Sequence, residues 1–165
     1  MLPLASEEAG ANPAESTTTK MLSMTLKISR IDKTLPLPKY QTKGAVAFDL
    51  YARVNLTVKP QTMELIPANL IVQVPTEYML MIAARSSTPI KKGLILRNGI
   101  GIVDQDYCGP DDELRLHVYN FTENDVKVAR GERLGQAVLV KIAKARFAET
   151  QKTAKKSRGG FGSTG

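Results

Sequence analysis

From Met24 to Ile31 apolar and polar residues alternate (Met-Thr-Leu-Lys-Ile-Ser-Arg-Ile), the period of a strand with one buried face. Short segments of the same kind recur along the chain. They predict strands over Ala45–Arg53, Leu56–Val58, Met63–Ile66, Leu70–Val74 and Tyr78–Ala84, then over Leu94–Leu96, Ile100–Val103, Glu113–Tyr119, Val126–Ala129 and Gln136–Ile142. Turn formers stand between them: Pro60, Pro67-Ala68-Asn69, Pro75, Gly93, Cys108-Gly109-Pro110, Thr122-Glu123-Asn124 and Gly131. Pro36 and Pro38 break the pattern after the first strand and predict an extended link. One short helix is expected, around Ser87 to Lys92. Many short strands without a long helical period predict an all-β antiparallel barrel or jelly roll. Residues 1–22, aperiodic and rich in Ala, Ser, Thr and Glu, predict a disordered extension. The barrel is expected over 23–145, and a flexible C-terminal arm over 146–165.

A chain of 165 residues has room for a core without disulfide support. The single cysteine, Cys108, excludes a disulfide framework and makes a reducing compartment the default. A cytoplasmic location is expected, or a nuclear one if the source is eukaryotic or viral. His117 is the only histidine, which excludes a His-rich metal site and a paired-histidine acid/base system. No apolar run approaches the ~18 residues of a membrane span. Met1 to Leu4 carries neither a basic start nor a long apolar run, so no secretory leader is expected.

The formal net charge is +7, and it is unevenly placed: Lys141 to Arg158 holds seven basic side chains against Glu149 alone. Such a segment attracts a polyanionic nucleotide. It also suits a solvated connector. A nucleic-acid surface is disfavoured, because Phe147 is the only aromatic there and offers no stacking platform.

Gly99 to Gly109 reads Gly-Ile-Gly-Ile-Val-Asp-Gln-Asp-Tyr-Cys-Gly. A β-branched pair leads into Asp104, with Asp106 two residues on and Tyr107 three. Gly101 and Gly109 let backbone approach a ligand without a Cβ between. An aspartate is ionised at neutral pH and accepts a proton from water, so Asp104 is a candidate general base over a bound nucleotide. The alternative is a turn that its aspartates cap and hydrate. The tail, Arg158-Gly-Gly-Phe-Gly-Ser-Thr-Gly165, is too rich in glycine for a helix or a packed strand. It nevertheless combines a cation (Arg158), flexible amides (Gly162), hydroxyls (Ser163, Thr164) and one aromatic face (Phe161), the groups that a polyphosphate and a base require.

Together these segments resemble the trimeric dUTPase family. Five motifs stand in that family's order: Gly44-Ala-Val-Ala-Phe-Asp49-Leu-Tyr-Ala52, Ala84-Arg85-Ser86-Ser87, the Asp104 segment, Gly131-Glu-Arg-Leu-Gly-Gln136, and the C-terminal Gly-Gly-Phe-Gly-Ser-Thr-Gly. The resemblance implies a distorted jelly-roll β-barrel, assembled as a homotrimer with exchanged C-terminal arms. It places the third and fifth motifs of each active site on different subunits from the second and fourth. It implies dUTP as substrate, cut to dUMP and pyrophosphate by attack of an activated water on the α-phosphorus. It implies Mg²⁺ as cofactor, held through the substrate phosphates and water with no direct protein ligand. Arg85, Ser86, Ser87 and Gln136 would contact the phosphates, with Ser86 donating to the α–β bridging oxygen. Asn98 would read the uracil edge, Tyr107 would lie under the deoxyribose and exclude a 2′-hydroxyl, and Phe161 would stack on the base. Asp49 would support the site.

The chain departs from the family in three places. Ser87 stands where glycine is commoner, and Pro110-Asp111-Asp112 lengthens the segment after Tyr107. The family arginine of the fifth motif is replaced by Lys156, with Arg158 directly before the Gly-Gly pair. Either cation suits the γ-phosphate, and Arg158 is favoured for its fork. The related dCTP deaminases carry a catalytic glutamate three residues before an asparagine like Asn120; His117 holds that position here. A non-catalytic nucleotide sensor on the same trimer is the other alternative, disfavoured because pure binding has no need of Asp104.

Overall fold

A computed structural model describes residues 24–151 and Gly159. The strands are β1 (Lys27–Arg30), β2 (Phe48–Tyr51), β3 (Leu56–Val58), β4 (Met63–Pro67), β5 (Leu70–Gln73), β6 (Tyr78–Ala84), β7 (Leu94–Leu96), β8 (Gly101–Val103), β9 (Arg115–Asn120), β10 (Val126–Val128) and β11 (Arg133–Lys141). One helix, α1 (Ser87–Lys92), lies between β6 and β7, where the sequence places it. Gly93 ends it at φ +66°, in a left-handed cap where a Cβ would come within 2.1 Å of the Thr122 methyl.

The strands form a four-stranded sheet β2-β11-β6-β8, a three-stranded sheet β4-β9-β7 and the pairs β1-β5 and β3-β10, all antiparallel. Pairing partners are far apart in sequence, as in the β2–β11 and β4–β9 ladders, and the architecture is a jelly-roll β-barrel. Leu50, Ile66, Leu80, Leu94, Leu114 and Leu116 are fully buried at its centre. Burial of each such side chain stabilises the fold by roughly 1.5–3 kcal/mol. Along β9 burial alternates: Leu116, Val118 and Asn120 point inward, while Arg115, His117 and Tyr119 lie on the outer face.

Most strands differ from the sequence expectation at one end or both, and three of them show why. β2 starts at Phe48, because Ala45 is drawn into a turn in which its N–H donates to Thr42 O (3.1 Å). β9 starts at Arg115, because Leu114 is engaged elsewhere: its N–H donates to Leu70 O (2.7 Å) and its carbonyl accepts from Ala68 N (2.8 Å). β11 starts early, at Arg133, through an irregularity between Arg133 and Gly135 in its pairing with β2. The expected extension over 1–22 lies outside the described residues. No helix among the described residues is long and apolar enough to cross a membrane.

Candidate active site

Two clusters of polar side chains form where strands end. The first follows from the β7–β8 connection. The Gly99 N–H donates to Leu96 O (3.1 Å) and the Ile100 N–H to Asn98 O (2.8 Å), which puts Asn98 at the tip of a tight turn. Gly101 opens β8 opposite Ile82, and a Cβ there would sit 3.2 Å from the Ile82 Cβ and 3.8 Å from Asn98 Nδ2. A side chain there would press on Ile82, while its 3.8 Å approach to the Asn98 amide is an ordinary contact. Asp104 leaves the end of β8 with its side chain exposed, while Val103 before it is buried and anchors the strand. Gln105 fixes the next step by donating from Nε2 to Tyr78 O (2.9 Å).

Tyr107 is half-exposed, and its hydroxyl donates to the backbone carbonyl of Glu113 (3.3 Å). Glu113 is itself locked. Its carboxylate is gripped by both ends of the Arg53 guanidinium (2.8 and 2.9 Å) and accepts from Asn69 N (2.8 Å). The hydrogen bond to Glu113 raises the Arg53 guanidinium above its usual value. Asn98, Gly101, Asp104 and Tyr107 line one cavity of about 480 Å³, together with Leu65, Leu114, Arg115 and His117.

The second cluster is built on Asp49, a buried carboxylate on β2. Arg85, just past β6, donates from Nε to Asp49 Oδ1 (2.9 Å), and Arg133, at the start of β11, donates from Nη1 to Asp49 Oδ2 (2.9 Å). Arg85 Nη1 also donates to Arg133 O (3.1 Å). One buried anion thus holds two cations, and a positive charge remains. Arg85, Ser87, Lys91, Lys92 and Arg133 border a cavity of about 590 Å³, where Glu132 pairs with Lys92 (2.8 Å). Ser86 precedes α1 with its side chain exposed and makes no side-chain cap bond, so its hydroxyl is not spent on the helix. Gln136 uses one amide hydrogen on Ala84 O (3.1 Å).

The structure therefore gathers Asn98, Gly101, Asp104 and Tyr107 in one place and Asp49, Arg85 and Ser87 in another, and the two cavities share no lining residue. Lys156, Arg158, Phe161, Gly162, Ser163 and Thr164 lie outside the described residues. The Pro110–Asp112 insert forms a turn that Asp112 closes, its Oδ2 accepting from Gly109 N (2.6 Å). Arg133 had no role in the sequence reading, although its motif was recognised. The signal was its place between Glu132 and Leu134, at the point where the apolar alternation of β11 begins. The sequence marks His117 only as the single histidine and as the residue in place of a glutamate, and the alternation of β9 is what puts it on the cavity wall. Among the described residues no three His, Cys, Asp or Glu side chains cluster as a metal-ligand set.

The dUTPase family model matches residues 33–165, from the link before β2 through the C-terminal motif. The chain belongs to the dUTPase family. It is 36% identical over 144 residues to the deoxyuridine 5′-triphosphate nucleotidohydrolase of Helicobacter pylori, covering 86% of this chain and 97% of that protein. It is 37% identical over 150 residues to the enzyme of the same name from a Thermoanaerobacter species, covering 87% and 99%. Among solved structures, dUTPase from Streptococcus mutans superposes with a TM-score of 0.67 at 27% identity, covering 73% of this chain and 98% of that one. The Staphylococcus bacteriophage 80alpha dUTPase with dUPNHPP matches the fold with a TM-score of 0.76 at 21% identity, covering 87% and 99%.

Proposed function

We propose that this dUTPase-family protein is a dUTP diphosphatase, cleaving dUTP to dUMP and pyrophosphate by attack of a base-activated water on the α-phosphorus. The observation that carries the mechanism is the position of Asp104, at an open strand end in the same cavity as Asn98, Gly101 and Tyr107. In this reading Asn98 pairs with the uracil edge, using an amide that both donates and accepts. The Tyr107 ring, held through Glu113, lies under the deoxyribose and leaves no space for a 2′-hydroxyl. Asp104 takes the proton from water, a contribution of roughly 10²–10⁴-fold.

The triphosphate is assigned to the cluster around Asp49. Arg85 supplies a charged fork, Ser86 donates where leaving-group charge develops, and Ser87 and Gln136 supply further donors. Asp49 has both carboxylate oxygens on arginines, so it orients cations and is not free to ligate a metal directly. Mg²⁺ accordingly fits as an ion carried by phosphate oxygens and water, where it supplies charge neutralisation of the phosphates. The separation of the two clusters supports sites completed across a closed homotrimer. The 146–165 arm brings Arg158 or Lys156 to the γ-phosphate, Gly162, Ser163 and Thr164 to the phosphates, and Phe161 onto the base. No nucleic acid or membrane partner is assigned.

The test is pyrophosphate release from dUTP with Mg²⁺ in ¹⁸O-labelled water. Label is expected in dUMP, with turnover lost in Asp104→Asn while dUTP still binds. Label in pyrophosphate would contradict attack at the α-phosphorus. Turnover of Asp104→Asn within a few-fold of the parent would remove Asp104 as the base.

A further inference from the structure

Arg85, Ser86 and Ser87 stand on the single turn that joins β6 to α1, and Thr88 closes it by donating its N–H to Arg85 O (2.9 Å). Thr88 is buried in the wall of the cavity that Arg85 and Ser87 border. Its hydroxyl donates to Leu134 O (2.7 Å). The same carbonyl accepts from Arg85 N (3.1 Å), so one oxygen of the fourth motif holds both ends of the turn. The irregularity in β11 makes that oxygen available. Leu134 falls between Arg133 and Gly135 in the β2 ladder, and the β6 ladder begins at Gly135, so Leu134 has no register partner on either strand. A bulge of this kind re-aims groups beside a site. The oxygen is also a fixed point. Leu134 is buried, and a Cβ on Gly135 would come within 2.5 Å of Leu116 Cδ2, so the peptide joining the two residues lies directly on the core. Ser86 makes no side-chain cap bond, which leaves the seating of α1 to Thr88.

We infer that Thr88 is a positioning residue for the triphosphate, its hydroxyl seating the turn that carries Arg85, Ser86 and Ser87 on the carbonyl exposed by the β11 bulge. The hydroxyl is spent on Leu134 and does not touch substrate; it sets the depth at which the turn presents its donors. Valine has the same branching and no donor. A carbon rests no closer than about 3.3 Å to a carbonyl oxygen, so the turn would move outward by about half an ångström. A misplacement of ~1 Å costs roughly 10²-fold in rate, and half of it roughly tenfold. The inference rests on the assignment of the phosphates to this cluster. If Arg85→Gln hydrolyses dUTP as well as the parent does, that assignment fails and the inference with it. If Arg85→Gln is impaired, the Thr88 variants decide.

The experiment measures kcat/KM for dUTP and the inhibition constant of deoxyuridine, which carries no phosphate, in full-length Thr88→Val, Thr88→Ser and Thr88→Ala. In Thr88→Val kcat/KM is expected to fall about tenfold. The deoxyuridine constant should stay within about twofold of the parent's, because Thr88 lines the phosphate cavity and not the cavity of Asn98 and Tyr107. Thr88→Ser keeps the donor and should hold kcat/KM within about twofold of the parent, a rescue that loss of packing would not give. An unchanged kcat/KM in Thr88→Val, an equal fall in the serine variant, or a parallel loss of deoxyuridine binding overturns the inference. Should the valine variant fail to fold, serine and alanine, which differ by one oxygen, decide. A lower kcat/KM in alanine with deoxyuridine binding preserved supports the reading, and any other pattern refutes it.

Discussion

Asp49 holds two guanidiniums with one buried carboxylate, and that arrangement turns a short sequence motif into a positioned cationic surface. In Asp49→Asn the amide nitrogen would confront one guanidinium with a donor, and both arginines would lose the charge that orients them. Breaking a buried pair of this kind costs roughly 3 kcal/mol. The variant should therefore unfold at lower temperature and show a raised KM for dUTP. A KM unchanged from the parent would mean that Arg85 does not serve the phosphates. Tyr107 makes a different demand, since its task is steric and its hydroxyl is held by the Glu113 carbonyl. Tyr107→Ala is expected to relax the preference for dUTP over UTP, measured as the ratio of kcat/KM values. A preserved ratio would exclude the ring as the barrier to a 2′-hydroxyl.

Among the elements, β1 was legible because apolar and polar residues alternate along it, and β6 because it is a short apolar run between turn formers. The short helix was expected after the Ala84–Ser87 motif, and it stands there. The starts of β2, β9 and β11 were not legible. Leu114 reads as strand, yet its backbone is consumed by Leu70 and Ala68, contacts that no local pattern reveals. The residues of the first cluster could be named from one contiguous segment. The second draws on β2, the end of β6 and β11, so the role of Arg133 had to wait for the fold. The link after β1 was likewise unreadable beyond its prolines. Asp32 accepts from Thr34 N (2.9 Å), Thr34 Oγ1 (2.6 Å) and Arg130 Nη2 (2.6 Å), and the Asn69 side chain clasps its backbone. The Thr34 hydroxyl, then Arg130, holds its carboxyl well below the ordinary carboxylate range. A depressed folded value means that this contribution is full above the ordinary value of 3.8 and fades as pH falls below it. The melting temperature of Asp32→Asn should thus lie below the parent's by a constant amount near neutral pH. The gap should close as pH drops below about 4. A gap that persists undiminished into stronger acid would show that Asp32 acts through shape alone.

For the whole molecule, the cavity holding Asp104 and the cavity bordered by Arg85 and Arg133 share no lining residue. Under the proposed reading, a nucleotide with its base in the first and its phosphates on a surface of the second kind would be served by two copies, with the arm of a third closing over it. Repetition of one such head-to-tail contact closes a ring of three when each step turns by a third of a full rotation. The most direct measurement mixes Asp104→Asn with a chain truncated before Phe161, after each is shown to be inactive alone and subunit exchange is shown by native mass spectrometry. If Asp104 and the arm of each site come from different copies, mixed trimers contain sites with an intact base and an intact arm, and pyrophosphate release from dUTP returns. Mixed trimers that form but stay inactive would contradict shared sites, and an active truncated chain would contradict the role of the arm.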